Sequence, residues 1–324
     1  MRPHRPGPPK GIIMVEITAG LVKQLRDSTG VGMMDCKKAL AETNGDMEAA
    51  VDWLRTRGLA KAAKKADRVA AEGLVGVITA GTKAAVVEVN SETDFVARNE
   101  QFQGIVGNVA KLALDADGDV AKLGEMPFPG SGHSVSAELT EAISKIGENM
   151  NLRRTETVSV SDGVVESYVH NAVKGGLGRM GILVALESTG DKAALSALGK
   201  QLAMHIAATN PLSIDPADLD QAVVARERAI ILEQVKESGK SAEIAEKMVD
   251  GRMRKYFEEV TLLAQTFVID GETKVGVAIK NAEAEVGAPI KLTKFVRYVL
   301  GEGIDKVETD FAAEVAATAG IKKD

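Results

Sequence analysis

Residues 73–112 read GLVGVITAGTKAAVVEVNSETDFVARNEQFQGIVGNVAKL, and this stretch decides the fold class. Two runs rich in β-branched residues, Gly73–Thr79 and Ala84–Asn90, flank a short turn at residues 80–83. Strand-like runs around such a turn are typical of a β-hairpin. An apolar helix is predicted next, because large apolar residues recur there at helical spacing: Phe102, Ile105, Val106, Val109 and Leu112.

The same order of elements recurs later in the chain. Val164–His170 and Gly181–Glu187 are predicted strands, and Asp191–Thr209 is a predicted helix. Two successive units of hairpin plus helix indicate an internal pseudo-repeat. Further strand-like segments are Phe267–Ile269 and Phe295–Leu300. Since the strands form hairpins and the helices come in blocks, the pattern predicts an α+β fold.

Helical segments lie before, between and after these units. Residues 15–58 predict three short helices in a small bundle, with Thr18 and Asp46 as caps and Gly30 as a stop. Residues 216–262 predict two charged helices around a turn at Glu237–Ser241, which is an antiparallel helical hairpin. A final helix is predicted from the apolar residues Ile304, Val307, Phe311 and Val315.

These patterns also predict the domain organisation. The boundaries are 1–13 for a disordered extension, 14–58 for a helical domain, 59–72 for a linker, 73–155 for one α+β subdomain, 156–300 for a second with the hairpin insertion at 216–262, and 301–324 for a C-terminal module.

Composition disfavours several classes of protein. Lys and Arg number 40 against 46 Asp and Glu, and a net charge of −6 is a poor basis for wrapping nucleic acid. The single cysteine, Cys36, cannot form a disulfide within the chain and is expected to be a small packing residue. No apolar run approaches the roughly 18–20 residues that span a membrane. Residues 1–13 lack the apolar region of a signal peptide, so we expect a cytoplasmic protein.

Two short motifs resemble phosphate-binding loops of enzymes, but the elements predicted around them do not fit phosphate binding. GLGRMG at residues 176–181 matches G-x-G-x-x-G, but a predicted strand follows where phosphate binding needs a helix. SGKS at residues 238–241 resembles the end of a phosphate loop but joins two helices. The four histidines are far apart, so we expect no metal or cofactor. An oxidoreductase or kinase using these motifs, and an RNA-binding module using the basic residues 61–68, remain as alternatives.

Two exposed contacts are conceivable from the pattern. Ser91-x-x-Asp94 fits a capping box with Phe95 tucked against the next helix, which is the reading that the pattern favours. The alternative is a connector that presents Phe95 as an apolar wedge beside Asp94. Met33 and Met34 are adjacent, so on a helix they point about 100° apart. Core packing of both and an adaptable protein contact are equally open.

At these residues the sequence resembles the bacterial translation elongation factor Ts family. The resemblance covers nearly the whole chain from Met14. It departs from the family pattern at residues 1–13, in a longer 115–140 region and at Gly175–Gly178. The matching stretches include GMMDCKKAL within residues 16–40, VNSETDFVARN at 89–99, KIGENMNLRR at 145–154, AMHIAA at 203–208, EIAEKMVDGRMR at 243–254 and GEGIDKVETDFAAEVAA at 301–317.

The resemblance implies a fold and a function. It implies a ubiquitin-associated-like helical domain, a core of two similar α+β subdomains, an inserted helical hairpin and a C-terminal helix. It also implies a protein that is not an enzyme, needs no cofactor and promotes guanine nucleotide exchange on elongation factor Tu. It gives no expectation of direct nucleotide, nucleic acid or membrane binding, and it allows a dimer of the complex.

The resemblance assigns roles to particular residues. Asp94 and Phe95, with their neighbours Thr93 and Val96, are expected beside the nucleotide site of the partner, where they dislodge Mg²⁺. Met33 and Met34 are expected to contact the GTPase domain of the partner, and Phe311 on the C-terminal helix to contact the same domain. No catalytic residue is expected.

Overall fold

A computed structural model describes residues 17–29, 33–237 and 241–305. The chain divides into two compact units, the first holding residues up to 68 with 137–150, and the second holding 69–136 and the chain from 151. Four predictions lie outside the described residues: the extension at 1–13, the stop at Gly30, the turn at 238–240 and the helix that carries Val307, Phe311 and Val315.

The described elements mix helices and strands, which confirms the α+β fold class. The helices are α1 (Ala19–Thr29), α2 (Met33–Glu42), α3 (Met47–Ala63), α4 (Asp94–Ala97), α5 (Glu100–Ala116), α6 (Val120–Glu125), α7 (Val135–Ile146), α8 (Lys192–Thr209), α9 (Gln221–Lys236), α10 (Ala242–Val260) and α11 (Val275–Val286). The strands are β1 (Glu72–Ala80), β2 (Lys83–Ser91), β3 (Met150–Ser159), β4 (Gly163–His170), β5 (Leu177–Gly178), β6 (Met180–Glu187) and β7 (Lys291–Val299).

The first unit contains the predicted helical bundle. The hydroxyl oxygen of Thr18 accepts a hydrogen bond from the Leu21 N–H at 3.2 Å, and Asp46 Oδ1 accepts one from the Ala49 N–H at 2.9 Å, so both predicted caps are confirmed. Cys36 is fully buried, and this burial raises the pKa of its thiol. It belongs to the core of the bundle with Val22, Leu25, Ala39, Leu40, Ala50 and Leu54.

Two sheets form the centre of the second unit. The first has the strand order β3-β2-β1-β5 and the second has the order β4-β6-β7. The β1–β2 register runs from Glu72 opposite Ser91 to Ala80 opposite Lys83, which confirms the predicted hairpin. Residues of both sheets share one buried cluster, which includes Val75, Val77, Val86, Val165, Leu183 and Val296.

The glycine motif at residues 176–181 serves the packing of these sheets. It runs through β5 into β6, which confirms the predicted turn. Gly181 has no side chain because a Cβ there would lie 2.6 Å from Val77 and 2.8 Å from Val75. Gly176 has a φ of +76°, which a side chain rarely adopts.

Both predicted hairpin-plus-helix units are present, as β1, β2 and α5 and as β4, β6 and α8. Each also has a similar loop, of which residues 124–136 are recognisable from their Pro, Gly and Ser content and the second is not. Phe128 N–H donates to the His133 carbonyl at 2.7 Å, and Phe267 N–H donates to the Thr273 carbonyl at 2.7 Å. Both phenylalanines are buried.

The predicted strand at Phe267–Ile269 is therefore wrong. These residues lie in the loop closed by the bridge between Thr266 and Lys274, where Phe267 turns inward while Val268 and Ile269 are exposed. The apolar run belongs to a loop with one buried anchor, and alternation alone cannot distinguish this from a short strand.

The helical hairpin is confirmed by α9 and α10. Its seam buries Ile231 and Val235 from one helix against Val249 and Met253 from the other. Arg228 Nη1 lies 3.2 Å from Asp250 Oδ1 across the two helices.

Candidate functional site

The segment between β2 and α5 is a connector with several local hydrogen bonds. Thr93 occupies the N-cap position of α4, which is a single turn. The Arg98 N–H donates to the Phe95 carbonyl at 3.1 Å, and the Asn99 N–H donates to the Val96 carbonyl at 2.9 Å. Asn99 Oδ1 then caps α5 by accepting the Phe102 N–H at 3.1 Å. We call residues 93–96 the Asp94–Phe95 turn.

The Asp94–Phe95 turn has one buried side and one side exposed to solvent. Val96 and Ala97 are buried, whereas the side chain of Phe95 is 73% exposed in a chain with few aromatic residues. Buried Val96 and Ala97 therefore anchor the turn, and Phe95 exposes its aromatic ring to solvent. Thr93, Asp94, Phe95 and Val96, which the sequence grouped as site residues, do lie together on one element.

The predicted capping box is wrong. The Ser91 hydroxyl donates to the Thr93 carbonyl at 3.0 Å, and Asp94 Oδ2 accepts from Arg98 Nη2 at 2.9 Å. The physical reason is that α4 intervenes, so that Asn99 caps the following helix and Phe95 stays exposed. The alternative, an exposed aromatic beside a carboxylate, describes the observed geometry.

Arg98 is a neighbour of this pair that the sequence reasoning missed. Besides its ion pair with Asp94, its guanidinium carbon lies 6.0 Å from the centroid of the Phe95 ring. The i, i+4 spacing of Asp94 and Arg98 on a helix was a signal that could have revealed the contact. Both side chains are about half or more exposed, and such pairs contribute little to stability. The contact can therefore be exchanged for another at small cost.

Met33 and Met34 lie at the start of α2, in the other compact unit. Their side chains are 43% and 78% exposed, respectively, while Cys36 and Leu40 on the same helix are buried. The structure therefore favours exposure of both over core packing. Phe311 lies outside the described residues.

A buried polar cluster surrounds His205 on α8. Its Nε2 lies 2.9 Å from Gln265 Oε1, and its Nδ1 accepts the Val268 N–H at 3.2 Å, so the proton of the neutral ring belongs on Nε2. The Thr209 hydroxyl also donates to Gln265 Oε1 at 2.9 Å. Burial lowers the pKa of His205, against the opposing hydrogen bond with Gln265. The cluster holds the loop around Phe267 onto α8.

Among the residues that the structure describes, no helix has the length and apolar character needed to span a membrane. This finding is limited to helices within those residues.

Comparison with known proteins gives one consistent result. The family model described as elongation factor TS matches residues 92–302. A protein from Rhizobium etli (strain CIAT 652) named elongation factor Ts is 62% identical over 304 residues, covering 94% of this chain and 99% of the relative. One of the same name from Rhodospirillum centenum is 60% identical over 307 residues, covering 95% and 100%.

Proposed function

The chain belongs to the elongation factor Ts family and is a translation elongation factor, and we propose that it is the guanine nucleotide exchange factor for elongation factor Tu. In this proposal it promotes GDP release during elongation and performs no chemistry of its own. The observation that carries the proposal is the Asp94–Phe95 turn, because an exposed aromatic ring beside a carboxylate suits insertion into a partner.

The physical requirement for such a factor is a difference in affinity. Tight nucleotide binding by a GTPase depends on backbone N–H groups, a lysine and Mg²⁺ around the phosphates. A protein that binds the empty GTPase more tightly than the loaded one must weaken nucleotide binding by the same factor. Each tenfold of this coupling corresponds to about 1.4 kcal/mol.

Each site residue has a role in this proposal. Phe95 enters a groove of the partner and displaces one of its helices. Asp94 approaches the Mg²⁺ site and disfavours the metal-bound arrangement, while Thr93 and Val96 hold the turn in place. Met33 and Met34 bind the GTPase domain as adaptable apolar contacts, and Phe311 contacts the same domain.

The proposal is tested by stopped-flow measurement of labelled GDP leaving elongation factor Tu. Phe95→Ala and Asp94→Ala are each expected to slow release by about thirtyfold, the effect of losing an interface residue worth roughly 2 kcal/mol. Ile244→Ala is a matched control, since Ile244 is also exposed but lies on the helical hairpin. Release at the wild-type rate with both turn variants would remove the assignment.

A further inference from the structure

Glu88 on β2 is a charged residue that the proposed exchange role does not yet use. It is fully buried, and its carboxylate accepts hydrogen bonds from β3 and from the chain after β7. Oε1 accepts from Arg153 Nη1 at 3.0 Å and from the Gly301 N–H at 2.8 Å, and Oε2 accepts from Arg154 Nε at 2.6 Å. Burial acts to raise the pKa of Glu88, but the Gly301 amide, Asn90 and the two arginines together hold it below its usual range.

The same groups continue to the base of the Asp94–Phe95 turn. Asn90 follows Glu88 by two residues, so both side chains lie on one face of β2. Asn90 Nδ2 donates to Glu88 Oε1 at 3.0 Å and to the Glu72 carbonyl on β1 at 3.2 Å. Ser91 comes next, also fully buried, and its hydroxyl bonds to the carbonyl of Thr93. Glu88 is therefore hydrogen-bonded to Asn90, and the peptide bond from Asn90 to Ser91 connects this pair to the residue that bonds the turn.

The arginines extend these contacts to the end of β7. Arg154 Nη2 donates to the Val299 carbonyl at 3.0 Å, and Arg153 Nη2 donates to the Glu302 carbonyl at 2.6 Å. Gly301 packs closely on the start of β1, because a Cβ there would lie 2.3 Å from the Ala71 carbonyl oxygen. The chain is thus fixed at residues 299–302, where it leaves the sheet.

Stability alone is a poor explanation for this arrangement. Well-packed apolar residues in place of a buried ion pair are often neutral or stabilising, since burying charges is costly. The cluster also leaves Asn90 Oδ1 buried without a hydrogen-bond partner among the described residues, which adds to its cost. A charged centre instead selects one arrangement of the strands, because its hydrogen bonds are satisfied in that arrangement alone.

We propose that Glu88, with Arg153 and Arg154, is a positioning centre that holds the Asp94–Phe95 turn and the end of β7 in one fixed arrangement for engagement of the GTPase. This inference rests on the proposed exchange function. Glu88 contacts no partner group. It acts through Asn90 and Ser91 on the turn, so that Phe95 meets the partner already in its working orientation.

The test is the dependence of GDP release on the concentration of the full-length protein, for Glu88→Gln and the wild type. Glutamine keeps the shape of the side chain but loses the charge that both arginines bind. We expect the maximal release rate to fall by about tenfold with little change in the half-saturating concentration, since tenfold is the scale of a coupling between neighbouring groups of roughly 1.4 kcal/mol.

A double variant separates positioning from general weakening of the fold. If Glu88 acts through the turn, Glu88→Gln combined with Phe95→Ala releases GDP at the rate of Phe95→Ala alone. Rates that multiply would overturn the inference while leaving the exchange function intact. If only Phe95→Ala has no effect, the positioning role fails alone, whereas the exchange function fails if the wild-type protein itself does not accelerate GDP release.

Two further variants guard against unfolding. Glu156→Gln is the matched control, because Glu156 pairs with Lys294 between β3 and β7 at 2.6 Å but makes no contact with the turn. It should leave the maximal rate unchanged. Arg153→Lys keeps the charge but replaces the two nitrogens that donate to Glu88 and Glu302 by a single one, and we expect an intermediate loss. Hydrogen exchange of amides 91–99 should accelerate in Glu88→Gln while amides 192–209 in α8 stay unchanged, and uniform acceleration would contradict the positioning role.

Discussion

Two phenylalanines seven residues apart differ completely in their exposure to solvent. Phe95 is exposed while Phe102 is fully buried, although both follow the same strand. The sequence pattern predicted the burial of Phe102 because it begins a helical apolar stripe. It favoured the wrong outcome for Phe95, because a capping-box pattern does not reveal whether its residues start the long helix or a separate turn. The ion pair of Arg98 with Asp94 would have been the better guide.

Met34 offers a test at the same scale. Its side chain is more exposed than that of Met33, so Met34→Ala should change the free energy of unfolding by no more than about 0.5 kcal/mol. If it contacts the GTPase, the half-saturating concentration for GDP release should instead rise severalfold. Titration of release rates against protein concentration measures this.

Leu40→Ala provides the contrast, since Leu40 is fully buried on the same helix. It should cost about 2–5 kcal/mol of unfolding free energy through the cavity that it leaves. A loss of stability in Met34→Ala similar to that in Leu40→Ala would contradict the exposed placement of Met34.

At the scale of elements, the sequence predicted those with strong local periodicity. The β1–β2 hairpin, α5, α8 and the helical hairpin appear within a few residues of the predicted bounds. β3, α7 and α11 were missed. β3 is rich in polar residues, including the partly buried Arg153 and Arg154, which pair with Glu88 from another strand. Local periodicity cannot reveal such a tertiary partner.

The loop held by His205 gives a pH-dependent prediction at this scale. Burial depresses the pKa of His205 in the folded state, so the unfolded chain, near its ordinary value of about 6.5, binds the proton more readily. The stability that this neutral histidine contributes is therefore complete above about pH 6.5 and is lost as the pH falls toward its folded pKa. Protonation also places a hydrogen on Nδ1, where the Val268 N–H now donates.

Urea unfolding between about pH 7.5 and 5 measures this effect, because it spans the ordinary histidine pKa of about 6.5. His205→Asn should be less stable than the wild type at the upper end and should show a shallower decline toward the lower end. If the free energy of unfolding falls equally steeply with pH in the variant, His205 is not the group whose protonation destabilises the fold.

At the scale of the whole molecule, the resemblance to a family reached further than local patterns did. Periodicity gave the fold class and the order of the hairpins and helices. It could not say that Glu88, Asn90 and two arginines meet, because those residues come together only after β2 and β3 are paired in one sheet. The candidate site is thus a short sequence motif, whereas the contacts of Glu88 nearby in the chain join residues that are far apart in sequence.

The central claim is that the protein works by preferring the empty form of a GTPase. Isothermal titration of the full-length chain with elongation factor Tu, first nucleotide-free and then loaded with GDP and Mg²⁺, tests this most directly. The account predicts binding to the empty form that is tighter by at least about a hundredfold, or roughly 2.8 kcal/mol. Equal affinity for the two forms would contradict it, because a ligand that does not distinguish two states cannot shift their balance.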